Sequence, residues 1–316
     1  MYQINIFSNK NLEIICGDSL LELRKMKDES VDCVITSPPY YGLRNYNSSG
    51  QIGLEKTPEE YISNLVSVFS ETKRVLKKSG TLWIVIGDTY CGTGAKGKHK
   101  DPKNREGRNS QAVAPVNQKI EGMKSKDLIG IPWMLAFALR ADGWYLRQDI
   151  VWNKGNAMPE PVRDRCTRSH EYVFLLSKSK KYYFDFEALR EHCADSSVKD
   201  FKGRRNLDNK SGLYSEVRPD LVRSRDQYIC ADFKRRKRSV WTINTKPYKG
   251  AHFAVFPDKL IEPCVLAGCP EGGTVLDPFA GAGTTGLVSS KNNRKSILVD
   301  LNPDYCDLMR KRLGVL

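Results

Sequence analysis

A doubly wound α/β fold built on a mostly parallel sheet is predicted by three features of this 316-residue sequence. Short apolar runs rich in β-branched residues alternate with helical stretches. The runs are apolar along most of their length, as strands covered on both faces are. Near the carboxyl terminus, DPFAGAGTT at 277–285 sets glycines between a strand and a helix, the arrangement with which such sheets approach a nucleotide.

The elements follow in order. LEIICGD reads as a strand, SLLELRKM as a helix, VDCVITS as a strand, PEEYISNLVSVFSETKRVLK as a helix and GTLWIVIGD as a third strand. Residues 91–126 are glycine-rich, polar and basic and predict a surface loop. IPWMLAFALRADGWYLRQDIVWNK then reads as helix and strand, and HEYVFLLSKSKKYYFD as two strand-like pieces about a Ser-Lys turn. From 187 to 245 the alternation disappears into arginine, lysine and isolated aromatics, which predicts an inserted region. AVFPDKLIEPCVLAGC restores a helix, and two strand–helix units close the chain. No internal repeat is visible.

The formal net charge of +14 points to a polyanionic partner, because lysines and arginines that displace counterions from phosphate supply most sequence-independent affinity for nucleic acid. Nine cysteines without a CxxC pair, together with four histidines, argue against zinc and against a disulfide framework, and they suit a reducing cytoplasm. MYQINIFSNK lacks the apolar core of a signal peptide, and no run reaches transmembrane length, so no membrane contact is expected.

Two motifs carry chemistry. In TVLDPFAGAGTTGL, Gly281 and Gly283 let the backbone approach a ligand, and the exposed amides at the helix start favour an anionic group. The spacing is not GxGxxG, so a dinucleotide is not the first expectation. Asp300 ends the next strand, where an acidic residue binds a ribose diol. Together these point to an adenosine-containing cofactor. In VDCVITSPPYYG a strand runs into Ser37, Pro38, Pro39 and Tyr40. Two prolines remove two backbone donors and fix two φ angles, so the turn is stiff and its carbonyls remain available as acceptors.

TSPPY at 36–40 and DPFAGAGTT at 277–285, supported by GD at 17–18, VWNK at 151–154 and HE at 170–171, resemble the DNA amino-methyltransferases that use S-adenosylmethionine. The resemblance spans the chain outside 91–126 and 187–245. Because the catalytic motif precedes the cofactor motif, the order resembles the circularly permuted β group, and it implies a Rossmann-like methyltransferase fold. The resemblance implies a catalytic part at 1–186, a target-recognition region at 187–245 and a cofactor-binding part at 246–316.

It also implies roles. An exocyclic amine is a poor nucleophile because its lone pair is delocalised into the ring, so Ser37 and the carbonyl of Pro38 would draw its protons. Tyr40 would stack on the base extruded from the duplex. Phe279, Gly281 and Gly283 would wrap the methionine moiety, with Asp277 near its amino group and Thr284 near its carboxylate. Asp300 would hold the ribose and Asp18 the adenine amine, with a simple cap of the helix SLLELRKM as the alternative for Asp18. Phe253 and Pro257 are further cofactor candidates.

Double-stranded DNA is the implied partner. Arg204, Arg205, Arg223 and Arg225 would meet phosphates or guanines, as would Lys234, Arg235 and Arg236. Lysines near 96–103 could add phosphate contacts. A serine opening SPPY is more typical of cytosine N4 methylation, with adenine N6 the alternative. A non-catalytic DNA-binding protein of the same fold is a second alternative. Methylation at cytosine C5 would need a cysteine nucleophile, and Pro263-Cys264 lies on an apolar helix, which suits a structural cysteine. A cognate restriction endonuclease is a possible partner of such an enzyme.

Overall fold

The computed structural model describes residues 6–9, 11–43, 48, 50–92, 120–193, 234–245 and 256–315. They divide into a main unit, Met1–Phe184 with Val240–Leu316, and a second unit, Asp185–Ser239.

The main unit holds a nine-stranded sheet. Its first strands are β1 (Ile6–Asn9) and β2 (Leu12–Cys16), an antiparallel hairpin that composition alone did not reveal. β3 (Val31–Thr36), β4 (Leu76–Ile86), β10 (Thr274–Asp277) and β11 (Lys295–Asp300) run parallel to β2. β5 (Tyr145–Asn153) and β6 (His170–Ser177) form an antiparallel pair beyond β4, and β9 (Val240–Thr242) closes the edge beside β5. Across the sheet the strands stand in the order β1-β2-β11-β10-β3-β4-β6-β5-β9. The sheet thus takes residues 240–242 that the composition assigned to the inserted region.

Helices α1 (Ser19–Lys25), α2 (Pro58–Val75) and α3 (Ile131–Ala141) cover one face of the sheet. α4 (Asp258–Gly268), α5 (Thr284–Lys291) and α6 (Pro303–Leu313) cover the other. The sheet is therefore doubly wound. α2 shows why the sequence folds locally: Thr57 caps its start by accepting from the Glu60 amide at 3.2 Å, and Pro58 opens its first turn. Tyr61, Leu65, Val68, Phe69 and Thr72 recur at helical spacing and are buried against the sheet. α3 starts where Asp88, just past β4, accepts the amides of Gly130 and Ile131, each at 3.0 Å. That carboxylate does from a distance what an N-cap side chain does locally.

Two expectations need correction. KYYFD does not form a second strand after β6; it runs across the end of β4, where the Tyr183 amide donates to Ser79 O at 2.8 Å and Phe184 stacks on Trp83. Phe256 and Pro257 are not helical either: Pro257 is extended and caps a helix that begins at Asp258, and residues 251–255 lie outside the described residues. The central part of the basic 91–126 loop, residues 93–119, lies outside the described residues, but its ends are built into the core: Cys91 and Ile120 are buried.

In the second unit, β7 (Glu191–His192) pairs with β8 (Lys234–Arg235). Arg235 and Lys237 both reach Glu191, at 3.0 and 3.7 Å, and Arg236 lies over the Phe186 ring at 5.2 Å.

Candidate active site

β2, β3, β10 and β11 point their carboxyl ends to one edge of the sheet, and the chain order reverses about β10, where open α/β sheets bind ligands. β3 and β10 are neighbours, so the Ser-Pro-Pro turn and the glycine loop emerge side by side. One buried contact joins them: Thr36 Oγ1 donates to Asp277 Oδ1 at 2.6 Å, and Thr285 Oγ1 donates to Asp277 Oδ2 at 2.6 Å. Asp277 therefore staples β3, β10 and the start of α5. Burial pushes its carboxyl up to about 6, against the lowering effect of the two hydroxyls.

Above this staple lies a cavity of about 420 Å³, a volume in the range of small-cofactor sites. Gly281 lines it with a φ of +52°, a left-handed conformation that favours glycine. The Gly281 and Asn302 amides donate to opposite oxygens of Asp300, at 2.8 and 2.9 Å, which fixes the carboxylate at the wall. Burial raises that carboxyl to about 6 as well. Asp18 is the N-cap of α1, its Oδ1 accepting the Leu21 amide at 2.9 Å, and the residue also lines the cavity. Thr284 lines it too, and its hydroxyl accepts from Arg312 at 2.9 Å, which leaves its proton to point elsewhere. Phe279, Phe256 and Leu301 supply apolar wall. Carboxylate acceptors for hydroxyls and an amine, a hydroxyl donor and apolar surfaces fit an adenosine linked to an amino acid.

Ser37, Pro38, Pro39 and Tyr40 line the same cavity. The turn is braced from behind, with Tyr61 Oη donating to Pro39 O at 2.8 Å. Tyr40 Oη donates to Glu171 Oε2 at 2.6 Å, and Lys154 pairs with the other oxygen of Glu171. Lys154 in turn lies 4.7 Å from the centre of the Trp152 ring. Burial, then the Glu171 carboxylate, hold the Tyr40 hydroxyl well above the usual tyrosine range, so it stays a donor. Gly87 makes room for this pair: a Cβ there would stand 2.8 Å from Tyr40 Cε2 and 3.2 Å from Glu171 Cδ.

The structure thus gathers Asp18, Ser37, Pro38, Pro39, Tyr40, Phe279, Gly281, Thr284 and Asp300 about one cavity. Asp277 and Gly283 stand behind the wall: Asp277 is fully buried on two threonines, and Gly283 packs toward Met309. Phe253, Arg204, Arg205, Arg223 and Arg225 lie outside the described residues, as do the lysines near 96–103. Lys234 and Arg235 sit in β8, and Arg235 is already paired with Glu191. Sequence reasoning gave no role to Gly87, Trp152, Lys154, Glu171, Phe256 or Arg312. VWNK and HE were visible as supporting matches to the family, but their meeting with Tyr40 depends on the β5–β6 register, which sets Trp152 opposite Glu171.

Fold and cavity together define a class, the S-adenosylmethionine-dependent methyltransferases, and the comparisons narrow it. The sequence matches the N6/N4 DNA methylase family over residues 31–311, and the chain belongs to that family. It is 45% identical over 304 residues to the type II methyltransferase M.SmaI of Serratia marcescens, covering 96% of this chain and 91% of that protein. With M.Cfr9I of Citrobacter freundii, also a type II methyltransferase, it shares 48% over 297 residues, 94% of this chain and 86% of the other. Among solved structures, the cytosine-N4-specific PvuII DNA methyltransferase superposes with a TM-score of 0.63 at 18% identity, covering 96% of this chain and 87% of that one. TTHA0409 of Thermus thermophilus, in its complex with S-adenosyl-L-methionine, gives 0.57 at 21%, with 96% and 93% covered. The protein is a DNA methyltransferase and S-adenosyl-L-methionine is its cofactor. Among the described residues no helix is long and apolar enough to cross a membrane.

Proposed function

We propose that this enzyme methylates N4 of cytosine in a specific duplex sequence, on a base extruded into the cavity beside Ser37. The observation that carries the reading is the shared cavity: the Ser-Pro-Pro-Tyr turn and the Asp18/Asp300 pocket open into one space. When bound, S-adenosylmethionine supplies an electrophilic methyl group on sulfonium.

The chain's own residues supply position and acceptors. Ser37 Oγ and the carbonyl of Pro38 accept the two amine protons and draw the nitrogen toward a tetrahedral geometry. The carbonyl of Pro39 is held by Tyr61, so it serves the brace. Positioning and preorganised acceptors require no covalent intermediate. Tyr40 offers its ring as a stacking platform, worth roughly 1–3 kcal/mol per base, which offsets part of the few kcal/mol of unpairing. Asp300 takes the ribose diol and Asp18 the adenine amine. Phe279 and Gly281 lie along the methionine moiety, and Thr284 donates toward its carboxylate. Asp277 and Gly283 shape the loop from beneath.

Serine at the first position of the motif supports cytosine over adenine. The order of the two motifs along the chain, β3 before β10, supports the β-group arrangement. The basic stretch 187–245 is the target-recognition region on this reading, with 1–186 and 246–316 as the catalytic and cofactor parts. The type II names of the relatives support a cognate restriction endonuclease and a cytoplasmic setting. Incubating the enzyme with S-adenosylmethionine and unmethylated bacterial DNA, then analysing the nucleosides by mass spectrometry, tests the base. N4-methylcytosine is expected. N6-methyladenine would keep the site and overturn the reading of Ser37.

A further inference from the structure

Residues 154–169, between β5 and β6, leave the carboxyl edge of the sheet at the cavity itself: Lys154 lines it at one end of the loop, and Glu171 lines it just past the other. The loop is braced along its length. The Lys154 amide donates to Ser169 O at 2.7 Å, and Asn156 exchanges hydrogen bonds with Thr245, including 2.8 Å from the Thr245 amide. Arg165 pairs with Glu160 at 2.5 Å and lies 4.1 Å from the centre of the Tyr90 ring. Asp164 meets Lys126 at 2.7 Å, and Arg168 donates to the carbonyl of Asp88. Pro159 and Pro161 stiffen the backbone further.

From this frame Met158 stands 82% exposed, the most exposed of the large hydrophobic side chains among the described residues. Single apolar residues on a surface are ordinary. This one is held out by a braced loop, four residues from a wall of the base cavity, so its Cα lies within about 14 Å of that of Lys154. Arg163, also exposed, adds a positive charge to the same loop.

We propose that Met158 is a wedge that enters the DNA base stack and fills the gap left by the extruded base. The inference rests on the base-extrusion reading above. Extrusion removes one base from a continuous apolar stack, and apolar side chains inserted between base steps are a recurring means of holding DNA in such a deformed state. Methionine suits this role because its unbranched, polarizable thioether adapts to an irregular gap. Arg163 would meet a phosphate beside the opened step.

The test compares wild type, Met158→Ala and Met158→Leu, with the site first located by sequencing methylated bacterial DNA. Two duplex oligonucleotides carry that site: in one the target base is paired, and in the other it faces an abasic position that has already freed it. Single-turnover methylation by Met158→Ala is expected to be about tenfold slower on the paired duplex and close to wild type on the unpaired one, because only the first requires help with opening. Met158→Leu keeps an apolar wedge and should retain most of the rate. Equal rates for wild type and Met158→Ala on the paired duplex would overturn the wedge while leaving methylation intact, as would an equal loss on both duplexes. Wild type that methylates no DNA would overturn the wedge together with the function on which it rests.

Discussion

Tyr40 is held at three points: by its place in the Pro-Pro turn, by the hydrogen bond to Glu171, and by the absence of a side chain at Gly87. Gly87 is the most sensitive of these to a small change. An added methyl would overlap the Tyr40 ring edge and press on Glu171, which is held on its two oxygens by Tyr40 and Lys154. Gly87→Ala is therefore expected to fold and bind S-adenosylmethionine normally while methylating far more slowly than wild type. Tyr40→Phe, which loses only a bond to a charged acceptor, should slow transfer by roughly tenfold, at about 1.4 kcal/mol per tenfold. Calorimetric cofactor binding beside single-turnover rates separates the two effects; weakened cofactor binding in Gly87→Ala would show that the glycine serves the fold.

At the level of elements, the loop between β10 and α5 contains two left-handed glycines that do different work. Gly283, with φ +74°, has Met309 Cγ only 2.9 Å from where a Cβ would stand, so Gly283→Ala combines backbone strain with a clash against α6. Gly281 has φ +52° and nothing within 4 Å of that position. Gly283→Ala is expected to destabilise the protein by about 2–4 kcal/mol and Gly281→Ala by about 1–2. Urea denaturation checks the order, and a reversed order would contradict the packing of α6 on the loop. The glycine loop was legible in the sequence because its motif is local: strand, breaker and helix follow within a dozen residues. The elements misread or missed are those fixed from a distance. KYYFD has the aromatic composition of a strand but finds its partners in Ser79 and Trp83. β9 hides in an arginine-rich stretch and becomes a strand only because β5 lies beside it. The meeting of Lys154 and Glu171 with Tyr40 needs three strands in register, which no local pattern encodes.

At the scale of the whole molecule, two carboxyls, the buried Asp277 and the half-buried Asp300 at the cavity wall, tie stability to pH, and on the proposed role of Asp300 cofactor binding follows pH in the opposite sense. Both are pushed from 3.8 up to about 6, chiefly by burial. Between those values the folded chain holds protons that the unfolded chain has released, so the stability of the cofactor-free protein falls as pH rises through that window and levels off above it. On the proposed role of Asp300, the ribose diol takes its carboxylate as acceptor, so cofactor affinity is expected to be full above about 6 and to decline as pH falls through it. Melting curves and cofactor titrations from pH 4 to 8 check both arms, and Asp300→Asn should roughly halve the slope of the first, because Asp277 remains. The central claim is that Ser37 belongs to methyl transfer and not to cofactor binding, in a cavity that the two halves of the chain build together. The most direct measurement is the single-turnover methylation rate of Ser37→Ala on DNA, with S-adenosylmethionine affinity titrated on the same sample. The account predicts wild-type affinity and a rate lower by about 10²-fold or more. A wild-type rate, or a loss of rate matched by a loss of cofactor affinity, would contradict it.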